Sequence, residues 1–292
     1  MLLYDYEIFF DILDTKKQKT KLLKEDKTLL VDNSHILFFD NNQNRRVAIT
    51  SDKPFIDNQI NQSINFLVED VVTFSVKKGE NTIYYRLYKE GTQDLAMYWF
   101  SHTFLPIVFT MENTYYFLHA GAIEIDLKPV LFVADSFGGK STMTDFFIKK
   151  GHTMVSDDKV AVYEENKEIL CVPSYPYHRP YRKVEDLGYP VENFAKGAKK
   201  MHAIFNLVKS DEKAEIIIEE VLGIEKFRIL RFSTEIDFPI NSKSKFEMLS
   251  KIANNVKLYN IKVPWDMNRL EEVYQTIVNF IKKGQKWILT QK

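Results

Sequence analysis

Residues 128–163, KPVLFVADSFGGKSTMTDFFIKKGHTMVSDDKVAVY, decide the fold of the chain. Residues 129–133 form a short apolar run rich in β-branched side chains, which predicts a buried strand. Residues 142–150 follow a helical pattern, and Gly151 predicts the end of that helix. The loop ADSFGGKS lies between them at 134–141. The order of strand, glycine-containing loop and helix is the context that a phosphate-binding loop requires.

Backbone N–H groups of this loop and of the helix N-terminus would point at an anion and carry partial positive charge. Lys140 would reach the terminal phosphates, and the Ser141 hydroxyl would bind Mg²⁺. The pattern G-x-x-x-x-G-K-[ST] has glycine where this chain has Ala134, so the methyl group fits only if that residue needs no positive φ. The predicted nucleotide-binding residues are Asp135, Ser136, Phe137, Gly138, Gly139, Lys140, Ser141 and Thr142.

Two adjacent carboxylates, Asp157 and Asp158, follow a predicted strand at 153–156. From Lys140 the chain runs away along roughly eleven helical residues, about 16 Å. It returns along roughly five strand residues, also about 16 Å. The two lengths nearly cancel, so we expect the pair beside the phosphate loop, at the carboxyl ends of the strands. One carboxylate could bind the metal and the other could act as base toward an acceptor hydroxyl.

Three separated segments occur in a fixed order: HAGAIEID at 119–126, ADSFGGKST at 134–142 and KKGHTMVSDDKV at 149–160. Together they resemble the catalytic core of the HPr kinase/phosphorylase superfamily, and they look most similar to its diverged HPr-kinase-related branch. The resemblance covers roughly residues 95–230. Ala134 and Phe137 depart from it, since the family usually has glycine at both positions.

The resemblance implies roles for particular side chains. His119 would lie near Asp157, Asp157 would be the base toward the acceptor hydroxyl, and Asp158 would help Ser141 to hold magnesium. The predicted catalytic residues are therefore Asp157, His119 and Lys140. From the residues alone, a single histidine in a strand is more often a core residue than a catalytic one, so two interpretations of His119 stay open.

A turn at 173–183 contains three prolines, three tyrosines and three basic residues, which excludes a long helix there. Arg179 and Arg182 are candidates to contact the transferring phosphate or the acceptor, because a planar guanidinium binds phosphate with two hydrogen bonds. A solvated basic turn is the alternative.

The composition limits the classes of binding partner and the cellular location that we expect for the chain. The chain has 292 residues, with 40 acidic side chains balancing 40 basic ones, so no overall field favours nucleic acid. The single Cys171 cannot form an internal disulfide, which fits a reducing cytoplasm. We expect no signal peptide at 1–13, where three acidic residues replace a basic leader. Residues 95–111 are too short and too polar to span a bilayer and predict a buried helix.

The predicted fold class is α/β, a P-loop kinase core of the HPr-kinase C-terminal type with a β-rich N-terminal unit. We place the β-rich unit at 1–94 and the P-loop kinase-like domain at 95–292. The first unit is interpreted as an acceptor-docking or oligomerisation module, or as a sheet that completes the core. Predicted strands lie at 6–13, 28–31, 36–39, 47–49, 71–76, 82–87, 160–163, 169–172, 203–208, 214–218, 227–230 and 256–263, and predicted helices at 245–253 and after Asp266.

We therefore expect an ATP-dependent kinase that transfers the γ-phosphoryl group to a hydroxyl through Mg²⁺. The acceptor stays open between a peptide or protein serine, a sugar and another small molecule, and a homo-oligomer is compatible with the sequence. The HPr-specific enzymes carry a glycine-rich segment after the core that this chain lacks, which disfavours HPr as the acceptor. The alternative is a nucleotide-binding regulatory ATPase module without an acceptor.

Overall fold

The computed structural model describes residues 1–10, 19–42, 45–57, 61–180, 183–238 and 240–283. It is a mixed α/β structure with several sheets. The chain divides into two compact units. The first contains Met1–Tyr116, Val184–Asp186 and Ile236–Lys245, and the second contains Phe117–Lys183, Leu187–Glu235 and Phe246–Lys292. The domain boundary expected between residues 94 and 95 stays a prediction.

The elements have the following bounds. The helices are α1 Gln93–Trp99, α2 Leu105–Met111, α3 Lys140–Lys149, α4 Gly223–Phe232, α5 Ser242–Asn255 and α6 Leu270–Lys283, with a π-helical turn at Phe100–Phe104 and a 3-10 turn at Met267–Arg269. The strands are β1 Leu2–Leu3, β2 Tyr6–Phe10, β3 Thr20–Glu25, β4 His35–Asn42, β5 Arg45–Ser51, β6 Ser63–Val68, β7 Val72–Lys77, β8 Thr82–Leu87, β9 Tyr116–His119, β10 Gly121–Ile125, β11 Lys128–Val133, β12 Thr153–Ser156, β13 Lys159–Glu165, β14 Glu168–Val172, β15 Tyr177–His178, β16 Tyr189–Pro190, β17 Lys199–Lys200, β18 Ala203–Ser210, β19 Ile218–Glu220 and β20 Lys257–Pro264.

The first unit contains one sheet in the order β1-β2-β3-β8-β7-β6-β5-β4. Strands β4 to β8 are successive antiparallel neighbours, as the hairpin signals predict. Strand β3 instead runs parallel to both β2 and β8, so the prediction of hairpins alone is wrong there. The strand predicted at 28–31 is also wrong, because those residues form a turn and irregular chain. Strands β3 and β6 were not predicted.

The apolar segment expected to be a buried helix forms α1, the π-helical turn and α2. The Thr92 side chain accepts a hydrogen bond from the Leu95 amide and caps its start. Phe100 and Phe104 pack on Phe74 of the sheet, with ring centroids 5.6 and 5.1 Å away. The buried helix is confirmed. Along the described chain, no helix is both long and apolar enough to cross a membrane.

The main sheet of the second unit has the order β12-β10-β11-β18-β20-β19. Strands β11, β18 and β20 are parallel. Strand β10 is antiparallel to both β11 and β12, so β12 runs in the direction of β11. The chain leaves β11 toward β12 on one side and leaves β18 toward β20 on the other. The strand order therefore reverses between β11 and β18, which is the position where open α/β sheets bind ligands.

Helices α3 and α6 cover an apolar core of this sheet that includes Phe132, Phe147 and Phe205. Asp266 accepts a hydrogen bond from the Asn268 amide and caps the turn before α6, as predicted. The strand predicted at 227–230 is wrong, because those residues lie in α4. Four residues are too few to distinguish a helical from a strand period. The strand predicted at 214–218 is displaced, and β19 begins at Ile218.

Candidate active site

The predicted phosphate loop connects the end of β11 to the start of α3 at the carboxyl edge of the sheet. Gly139 has φ +88°, and Phe137 has φ 60°, so these two residues take the left-handed positions of the loop. Ala134 is not among the positive-φ residues of the described chain, which meets the condition for its methyl group. A Cβ at Gly138 would lie 2.7 Å from the Ala134 Cβ, so the loop needs glycine at 138.

Lys140 lies within this loop, with its side chain directed back along it. Its Nζ donates a hydrogen bond of 2.9 Å to the Ala134 carbonyl, and the residue is only 4% exposed. Within α3, the Met143 amide donates to the Gly139 carbonyl, so the amides of Ser141 and Thr142 lie ahead of the helical ladder, at the N-terminal end of the helix. Helix amides and an ammonium group thus share one small volume, which suits an anion.

A cavity of about 640 Å³ adjoins the loop at the point where the strand order reverses. Its polar and charged lining includes His119, Asp135, Lys209, Glu225 and Arg228. Arg228 lies on α4, where its Nη1 is 3.4 Å from Glu225 Oε2 and its side chain is 66% exposed. The structure thus adds two cations, Lys209 and Arg228, that sequence reasoning did not select.

His119 connects this cavity to the second carboxylate of the pair. Its Nδ1 lies 2.8 Å from Glu235 Oε2 and 3.5 Å from Asp158 Oδ1. The backbone fixes the position, because the His119 amide donates to the Ser233 carbonyl and the Ala120 amide donates to the Asp158 carbonyl. An imidazole nitrogen that faces two carboxylates is suited to carry a hydrogen.

Glu235 is held between His119 and Lys159, whose Nζ lies 3.0 Å from Glu235 Oε1. Burial alone would raise the pKa of Glu235. The Lys159 ammonium and the His119 imidazole outweigh burial, so the pKa of Glu235 lies below its ordinary value. Glu235 therefore favours its ionised form in the folded protein, and it contacts the same His119 nitrogen as Asp158 does.

Asp157 lies in a different environment from Asp158. Its Oδ2 is 3.0 Å from His178 Nδ1 and accepts a hydrogen bond of 2.8 Å from the Arg179 amide. Asp157 is 4% exposed, and His178 has no exposed surface. The resemblance implies that His119 lies near Asp157. In the structure His178 lies beside Asp157, and His119 lies beside Asp158. The expected nearness of His119 to Asp157 stays a prediction.

His178 also approaches α3. Its Nε2 is 3.6 Å from Asp145 Oδ1, an atom that accepts a hydrogen bond of 2.6 Å from the Tyr189 hydroxyl. The pairing of His178 with Tyr189 between β15 and β16 fixes this part of the backbone. One imidazole therefore lies between Asp157 and the helix that follows the loop.

Of the two candidate arginines, the structure describes Arg179. Arg179 is 8% exposed, and its Nη2 lies 3.4 Å from the Lys183 carbonyl, while its backbone amide contacts Asp157. The predicted contact of its guanidinium with phosphate stays a prediction. Arg182 lies outside the described residues.

The Asp pair ends β12 at the same edge of the sheet as the phosphate loop, because β12 and β11 run in one direction on either side of β10. Two strand spacings separate them, about 10 Å.

Among the described residues, no group of three or more His, Cys, Asp or Glu side chains could hold a metal by itself. A magnesium nucleotide needs fewer protein ligands, because phosphate oxygens and water supply the rest. The oxygens of Ser141 and Asp158 suit this role chemically.

The functional residues that sequence reasoning missed differ in their local signals. His178 lies inside the basic turn that contains the candidate arginines. Arg228 lies in the segment with a strand pattern at 227–230, which conceals its position on a helix. Glu235 has no local signal, since backbone pairing between two distant segments brings it beside His119.

No family model matches the chain, and no curated protein matches it. Among solved structures, the Hpr(Ser) kinase/phosphatase from Coxiella burnetii is similar over 57% of this chain and 97% of its own. The sequence identity is 17% and the TM-score is 0.36. A likeness at this TM-score carries no functional inference.

Proposed function

We propose that the chain is an ATP- and magnesium-dependent phosphotransferase that moves the γ-phosphoryl group to a hydroxyl acceptor. The observation that supports this most is the loop between β11 and α3, in which Lys140 lies against the Ala134 carbonyl at a helix N-terminus. A triphosphate gives these groups a ligand.

The residues of the chain have separate tasks in this proposal. Amides from Asp135 to Thr142 hold the phosphates, and Lys140 exchanges its carbonyl partner for a phosphate oxygen. Ser141 and Asp158 would hold magnesium, which supplies neutralisation of charge on the β- and γ-phosphates when bound. His119 and Glu235 would fix the position of Asp158.

Asp157 is the proposed base. The acceptor O–H bond breaks as its proton passes to the Asp157 carboxylate, and the acceptor oxygen forms a bond to the γ-phosphorus. The bond from the γ-phosphorus to the bridging oxygen breaks, and ADP leaves. His178 and the Arg179 amide orient the carboxylate throughout. The order of the three motifs around these residues supports a remote relationship to the HPr-kinase-related proteins.

One observation favours the alternative, a nucleotide-binding ATPase module without an acceptor. Asp157 is 4% exposed, and one of its oxygens already faces two protein groups. A base that is this enclosed can reach an acceptor only when the substrate enters deeply. The two functions differ in whether a hydroxyl compound accelerates ADP release.

The experiment measures ADP release with magnesium-ATP alone and with three acceptor classes: serine peptides, sugars and small polyols. We expect one class to accelerate ADP release in wild type and to carry labelled phosphate from γ-labelled ATP. Asp157→Asn should lose transfer and keep nucleotide affinity, since a base acts on the acceptor. Asp158→Asn should raise the magnesium concentration required. Equal binding defects in both variants would contradict this division of roles.

A further inference from the structure

A second cavity, of about 240 Å³, meets the phosphate loop at Gly138 and Gly139. Its lining is mostly apolar, with core residues Leu270 and Val273 on one side and Trp265 and Met267 from the chain before α6. The volume is below the range of about 300–1,000 Å³ that is typical for whole drug-sized ligands. It suits one flat ring system better than a complete nucleotide.

The two cavities have opposite chemistry and share part of their lining. Gly138 and Leu207 line both of them. The larger cavity carries His119, Lys209 and Arg228, which suit the reacting phosphates. A nucleoside triphosphate likewise has a charged end and a flat, weakly polar end. The shared glycine places both ends within reach of one bound molecule.

Trp265 is positioned to form the stacking surface of the apolar cavity. Its Cζ3 would lie 3.7 Å from a Cβ at Gly139, so the indole ring is adjacent to the loop backbone. Its amide donates to the Ser210 carbonyl at the end of β18, and the Lys209 ammonium lies 4.2 Å from the ring centroid. The ring is nevertheless 43% exposed, and Met267 is 70% exposed. A nucleotide base stacked on this ring would cover apolar surface that the fold leaves accessible.

We propose that this cavity binds the purine base of the nucleotide, with Trp265 as its stacking platform. The inference rests on the proposed function, because the base is located by the phosphates that the loop holds. The apolar lining supplies ring contact and few hydrogen-bond partners. Stacking depends on ring area, so purine nucleotides should bind more tightly than pyrimidine nucleotides.

The test compares magnesium-ATP, magnesium-CTP and magnesium-tripolyphosphate by calorimetry on wild type, Trp265→Ala, Trp265→Phe and Ile224→Ala. Ile224 is a matched control, since it is a large apolar residue that is 82% exposed on α4. We expect Trp265→Ala to weaken ATP binding about tenfold or more and to leave tripolyphosphate binding unchanged. Trp265→Phe should keep most of the ATP affinity, and Ile224→Ala should keep all of it. The preference for ATP over CTP should shrink in Trp265→Ala.

Equal losses for ATP and tripolyphosphate in Trp265→Ala would overturn the inference, because they would indicate a distorted loop. Unchanged ATP affinity in that variant would also overturn it, and would leave the phosphotransferase proposal intact. A wild-type protein that binds neither ATP nor tripolyphosphate would contradict the proposed function itself. Tryptophan fluorescence gives an independent measurement: ATP, but not tripolyphosphate, should change the emission, and Trp265→Ala should remove the change.

Discussion

The Nδ1 atom of His178 lies 3.0 Å from Oδ2 of Asp157, and the imidazole has no exposed surface. A buried imidazole in this position restricts the rotation of the carboxylate. Its Nε2 lies 3.6 Å from Asp145 Oδ1, on the helix that follows the loop. The position of the proposed base therefore depends on a residue outside the three sequence motifs.

His178→Gln should reduce ADP release about 100-fold, since a small displacement of a reacting group has an effect of that order. Magnesium-ATP affinity should stay at the wild-type value. Steady-state rates of ADP release test the first expectation, and calorimetry tests the second.

His152→Gln is the matched control for this variant. The His152 ring bridges the Glu124 carbonyl and the Tyr274 hydroxyl at 3.0 Å each, away from the Asp pair. It should lower the melting temperature and keep the wild-type rate of ADP release. A His178→Gln protein with the wild-type rate would assign His178 a structural role only.

Glu235→Gln should lower stability in a pH-dependent way. The pKa of Glu235 lies below its ordinary value of 4.5 because Lys159 and His119 outweigh the effect of burial. The ionised form is therefore favoured by folding. Its stabilising contribution is present above the ordinary pKa and is lost as the pH falls through the folded pKa. We expect a loss of about 1–3 kcal/mol at pH 7 that diminishes toward pH 3.

Thermal melts of wild type and Glu235→Gln between pH 3 and 8 test this sign. The exposed Glu192→Gln is the control, and it should change stability by less than about 0.5 kcal/mol at every pH. A difference between Glu235→Gln and wild type that is constant across this range would show that charge does not cause it.

Gly121→Ala should destabilise the second unit because of steric overlap. A Cβ at Gly121 would lie 2.0 Å from Thr144 Oγ1, where β10 passes close to α3. We expect a cost of about 1–3 kcal/mol, as is typical of overpacking. Adding Thr144→Ala removes the overlapping oxygen, so the double variant should be more stable than Gly121→Ala alone. Chemical denaturation of all four proteins in the mutant cycle measures the coupling, and additive losses would contradict the overlap.

The parts of the fold around the site that sequence reasoning predicted correctly are local. The strand, loop and helix from Lys128 to Lys149 are contiguous, so β-branching, two glycines and a helical period specify them without tertiary information. The placement of Asp157 at the same sheet edge followed from matching helix and strand lengths. The sequence allows alanine at 134 only if this residue needs no positive φ, and the structure meets that condition.

The parts that were missed depend on pairing between distant segments. His178 reaches Asp157 across 21 residues, and the neighbouring Arg179 amide donates to the same carboxylate. Glu235 reaches His119 across 116 residues. Strand β3 lies between two parallel neighbours, and no local pattern specifies parallel pairing of short strands. In α4, the segment FRIL satisfies a strand pattern, and only its neighbours reveal the helix.

Calorimetric titration of magnesium-ATP measures whether the loop at Lys140 binds the phosphates of a magnesium nucleotide. The proteins are wild type, Lys140→Ala and the exposed-lysine control Lys213→Ala. We predict that wild type and Lys213→Ala bind magnesium-ATP alike, and that Lys140→Ala binds at least about tenfold more weakly, equivalent to about 1.4 kcal/mol. An unchanged affinity in Lys140→Ala, or no binding by wild type, would contradict phosphate binding by this loop.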